Sequence, residues 1–161
     1  METEELKRII MDEGMSLDDK RRILDENKVA YRVENGLVVL DGMLAGRVLL
    51  SCINDIVKRT TSLDDNEDRV FNESILTDAA ESIGFVCRSV GITPMQAVIY
   101  STLMEHNSLS LDMNGLSEYL GMSRVSLLIY DDDLEELRKK GLINRDKKSI
   151  CLMIPRFVVR N

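Results

Sequence analysis

The chain has 161 residues, room for one compact domain or a small domain with a helical companion. Hydrophobic residues make up 44% and charged residues 30%, the profile of an ordinary globular protein, but the net charge of −7 speaks against a free-standing nucleic-acid binder, whose balance is normally basic. With no Trp and few aromatic residues, the core has to be aliphatic, and nine methionines are on hand to fill its gaps.

The opening residues METEELKRII are charged and lack the apolar run of a targeting signal. Residues 3–12 suit a short helix. Ser16-Leu17-Asp18-Asp19 reads as a capped helix start, with the helix stopping near Asn27. Val29–Val33 and Leu37–Asp41 flank Asn35-Gly36, a strong hairpin signal because both positions take positive φ cheaply. Residues 43–58 are apolar at 44, 48, 49, 52, 53, 56 and 57, a helical period with a wide buried face. Arg47, Asn54 and Asp55 make this stretch too polar to span a bilayer. The polar run 60–68 is the expected connector. It divides the chain into an N-terminal helical region with a hairpin, 1–66, and a second domain, 67–161. The spacing of Phe71, Ile75, Ala79, Ile83, Val86 and Val90 predicts one helix over 69–90, ended by Gly91.

The signals sharpen beyond Gly91. Thr93-Pro94-Met95-Gln96 combines an N-cap, Pro at the first helical position and Gln at the third, and predicts a helix to His106. Ser108–Leu111 suits a short strand. Asp112 caps a short helix to Leu120, broken at Gly121. Ser123 then caps a third helix over 124–140, apolar at 125, 128, 134 and 137. Gly141 ends it behind Arg138, Lys139 and Lys140. Residues 142–145 and 149–154 are strand-like about an Asp146-Lys147-Lys148 turn.

Helix, helix, tight turn, helix and two-stranded hairpin is the winged-helix order. The fold class expected is therefore α+β, mostly helical: a winged helix preceded by an extra helix and a helical region with a small hairpin. Ile92-Thr93-Pro94-Met95-Gln96-Ala97-Val98, Leu116-Ser117-Glu118-Tyr119-Leu120-Gly121-Met122-Ser123 and Tyr130-x-x-Asp133-Leu134-x-x-Leu137-x-x-x-Gly141-Leu142-Ile143 resemble the winged-helix region before the ATPase core in a family of bacterial AAA+ ATPases. The resemblance covers roughly residues 84–159 and implies a chain from the N-terminal side of a larger ATPase. No glycine here is followed by lysine, so a phosphate-binding loop would have to lie beyond Asn161.

Fold does not settle function. A DNA-reading helix presents Arg, Lys, Asn, Gln, Ser or Thr to bases and phosphates. The expected third helix carries Asp131, Asp132, Asp133, Glu135 and Glu136 against Arg124. A carboxylate about 4 Å from a phosphate costs about 1 kcal/mol even in water. We therefore expect a non-catalytic docking or regulatory module, binding a basic protein or another part of its own assembly through Asp131, Asp132, Asp133 and Glu135. The alternative is a DNA-binding regulator that touches phosphates with Arg145, Lys147 and Lys148 of the wing, built as a dimer through the 43–58 helix. Cys52, Cys87 and Cys151 stand apart in apolar runs without metal-ligand spacing, as reduced thiols in a cytoplasmic protein do. His106 reads as a cap or surface residue. The Asp64–Asp68 run fails as a calcium loop because Arg69 and Ile75 stand where Gly and Glu are required. No serine or cysteine has a neighbouring base. No cofactor, metal, membrane or catalytic role is expected.

Overall fold

A computed structural model describes residues 1–106, 111–145 and 150–152. Among these residues the architecture is α+β and mostly helical, with three separate antiparallel strand pairs. The described residues divide into two compact units, Met1–Ser51 and those from Cys52 on.

In the first unit, α1 (Thr3–Met11) and α2 (Leu17–Glu26) precede β1 (Tyr31–Glu34), β2 (Leu37–Leu40) and the start of α3 (Gly42–Thr60). Ser16 caps α2 by accepting from the Asp19 amide at 3.1 Å. Asn35 and Gly36 take φ of 53° and 77°, the turn that pairs Glu34 with Leu37 and Tyr31 with Leu40. The hairpin is tied back by the Tyr31 hydroxyl, which donates to Asp25 of α2 at 2.9 Å. Lys20 donates to the Ile10 carbonyl at 3.1 Å, joining the first two helices. Leu6, Ile9, Leu24, Leu40, Val48 and Leu49 are buried.

In the second unit, the run expected as a connector folds into a hairpin, β3 (Thr61–Leu63) and β4 (Arg69–Phe71). The Asp64 carboxylate accepts from the amides of Asn66 and Asp68 at 2.8 and 2.9 Å, so a polar run becomes a closed turn. The expected helix over 69–90 is broken accordingly. The Asn72 backbone N–H donates to the Thr60 carbonyl, and helix resumes only as α4 (Ile75–Asp78) and α5 (Ala80–Val90). Gly91, at φ 78°, ends α5 as expected.

Next, α6 (Pro94–His106) packs against α5, α7 (Met113–Leu120) and α9 (Asp131–Lys139). It is buried on every side from Gln96 to Leu103, the mark of a central helix. Gln96 fulfils its half of the expected capping box, accepting from the Thr93 amide at 3.1 Å. Asp112 caps α7 and Ser123 caps α8 (Arg124–Leu128), as their positions predict. The final strands, β5 (Ile143–Arg145) and β6 (Ile150–Leu152), pair antiparallel. The expected strand at 108–111 and the turn at 146–148 lie mostly or wholly outside the described residues. No single helix among the described residues is long and apolar enough to cross a membrane.

The Tyr100 side chain is fully buried, yet its hydroxyl has no hydrogen-bond partner among the described residues, and burial pushes the phenol's pKa up. An unsatisfied buried hydroxyl destabilises. Tyr100→Phe should hold stability or raise it by up to about 1 kcal/mol, read from the urea midpoint.

Candidate docking site

The segment expected as one helix over 124–140 is two helices. The Ile129 and Tyr130 amides donate to Ser126 and Leu127 three residues back, a tightened turn, and α9 starts afresh at Asp131. The acidic run thereby gains a local role. Asp131, Asp132 and Asp133 fill the first turn of α9, and Arg138 and Lys139 the last, as the helix dipole favours.

The break changes which side chains face inward. Leu127, Leu134 and Leu137 are fully buried. Val125 and Leu128, expected on the buried face, stand out at 75% and 57% exposure, beside Ile129 at 73%. The reason is spacing: Leu127, Tyr130, Leu134 and Leu137 recur every three and four residues, a stripe that survives the break, whereas Val125 and Leu128 lie off it.

Most of the expected site residues are bonded within the fold. Arg145, on β5, forms ion pairs with Asp131 and, at 3.1 Å, with Glu135, so the residue that the alternative reading sets at a phosphate ties the hairpin to α9. Its side chain is only 16% exposed. Burial opposes its charge, but the two carboxylates overcome that and raise its pKa. Glu135 also accepts from Arg138 at 3.0 Å. That bond, reinforced by Arg145, holds the carboxyl below its usual range. Asp133 accepts from Gln96 at 3.1 Å, joining α9 to the central helix through the same side chain that caps α6. Asp132 is exposed and unpaired among the described residues. Lys147 and Lys148 lie outside them.

A carboxyl with a depressed native pKa stabilises the fold fully above its unfolded value of about 4.3 and loses that contribution as pH falls through the native value. Stability should therefore decline on acidification below about pH 5. Replacing Arg138 and Arg145 together by Met should flatten the part of the decline that Glu135 supplies, as checked by denaturant titrations at neutral and acid pH.

His106, the last residue of α6, is half-buried. Its ring meets Tyr119 edge-on at 4.7 Å, while the Arg69 guanidinium lies 4.4 Å from the centre of the same tyrosine. Cys52 is buried and Cys87 half-buried, neither in a disulfide, and desolvation raises the pKa of the Cys87 thiol. Among the described residues no group of three His, Cys, Asp or Glu side chains is placed to hold a metal ion. No protein-family model matches the chain, nor does any curated protein or solved structure.

Proposed function

We propose that the chain is a non-catalytic winged-helix docking or regulatory module, from the N-terminal side of a larger AAA+ ATPase, whose partner is a protein and not a duplex. In this reading α6, α7 and the α8–α9 pair are the three helices, and β5–β6 is the wing. The observation that carries it is the character of α8–α9. At the position of a reading helix the chain exposes Val125, Leu128, Ile129 and Asp132, while Arg145 is committed to Asp131 and Glu135. Apolar side chains gain little from phosphates, and carboxylates are repelled by them. A protein surface suits both, since interface centres are apolar and charges ring them. Asp132 faces the partner directly. Asp131, Asp133 and Glu135 stand behind it and hold the frame of α9.

Two measurements test this. A fluorescence-anisotropy titration with duplex DNA at low salt should give no binding. Saturable binding that weakens steeply with added salt would replace the docking reading with the wing-on-phosphate one. The coding sequence after Asn161 should continue into a phosphate-binding loop; a stop codon there removes the ATPase part and leaves the docking part standing.

A further inference from the structure

The exposed side chains of the α8 region follow a pattern. Arg124, Val125, Leu128, Ile129 and Asp132 are all exposed, and Leu127 points the other way into the core. The backbone keeps its right-handed winding through the break, with Ile129 at φ −59°, ψ −30° and Tyr130 at φ −98°, ψ 16°. These residues thus share one face, with apolar groups at its centre and opposite charges at its ends. Leu128 sits midway, four residues after the cation and four before the anion. Neither Arg124 nor Asp132 is paired among the described residues.

We propose that this face binds a second copy of the chain, antiparallel, about a two-fold axis at Leu128. The proposal rests on the docking reading and names its partner. Under that symmetry Leu128 meets Leu128, and Arg124 of each copy reaches Asp132 of the other, so both charges are satisfied twice over. A parallel pairing would set like charge against like. A cationic helix from another protein would gain one carboxylate but meet Arg124. The neighbouring Asp131 does not compete for the incoming arginine, because Arg145 already holds it.

Three exposed apolar side chains make a patch on the scale of a few hundred Å², where patches on monomers are often functional. Two such patches fall short of the roughly 1,600 Å² of a standard interface, so the dimer is a weak one, with Kd above about 1 μM.

Sedimentation equilibrium on the full chain, from about 10 μM to about 1 mM, should show a reversible monomer–dimer equilibrium. Arg124→Glu and Asp132→Arg should each weaken it about tenfold, since each breaks two ion pairs and sets like charges together. An equimolar mixture of the two variants should associate, because each then supplies the charge the other lacks. The double variant in one chain should regain the wild-type constant. Leu128→Ser, at an exposed position, should keep the helical circular-dichroism spectrum and lose the dimer. A chain monomeric throughout the range overturns the proposal, as does a dimer indifferent to both charge reversals. If it is monomeric and also ignores duplex DNA, the docking reading survives with a different partner. Duplex binding, by contrast, removes the docking reading itself.

Discussion

Gly121→Ala is expected to destabilise the second unit by about 3–5 kcal/mol, a large share of a typical domain's total. Two effects add. Gly121 ends α7 at φ 70°, where a side chain costs about 1–3 kcal/mol. A Cβ built there would also lie 2.7 Å from Phe71 N and Val70 C and 2.8 Å from Arg69 O. Those are backbone atoms of β4 and cannot rotate away. The approach is close because the Phe71 amide donates to the Gly121 carbonyl at 3.0 Å, and Arg69 donates to the Tyr119 carbonyl at 3.3 Å. Relief would require the β3–β4 hairpin to lift from the turn between α7 and α8. Gly141→Ala is the control. Its φ is 75°, but among the described residues no atom beyond its chain neighbours lies within 4 Å of the added carbon, so only the conformational cost of about 1–3 kcal/mol applies. Thermal melts should place Gly121→Ala well below Gly141→Ala. Equal melting temperatures would mean that the hairpin does not rest on Gly121 in solution.

Leu127→Ala and Leu128→Ala should differ sharply despite being neighbours. Leu127 is fully buried, and its truncation removes transfer energy and leaves a cavity, about 2–5 kcal/mol in comparable cores. Leu128 is more than half exposed, so its truncation should change monomer stability by no more than about 0.5 kcal/mol. Denaturant midpoints measured at dilute concentration, where the proposed dimer is dissociated, read the difference directly. The opposite ranking would restore a continuous helix over 124–140 with Val125 and Leu128 turned inward. The pair of measurements therefore tests the helix break and the exposed apolar face together.

The elements that the residue order announces well are those with local causes. Ser16, Asp112 and Ser123 cap helices because a side-chain oxygen two or three residues from an orphan amide needs no distant partner. Asn35-Gly36 and Gly91 likewise carry their backbone conformations with them. The hairpin at 61–71 was less legible. A polar run with several acids looks like a linker until Asp64 is seen to close its own turn, and Phe71 gains its amide partner from Gly121, fifty residues away in the chain.

The candidate site divides along the same line. Its acidity was determined by the sequence alone, because charge belongs to the residue wherever it lies: five carboxylates between 131 and 136 are there in any fold. So were the capping signals that bring α6, α7 and α8 into their order. What only the tertiary structure decided was which of those charges remain available. Arg145 lies ten residues or more along the chain from the carboxylates it neutralises, and Gln96 lies thirty-seven from Asp133. Pairings of that kind depend on where β5 and α6 pack against α9. So does the choice between Leu127 and Leu128 as the buried leucine: a short helix can offer either face to the core, and only the packing around it selects one.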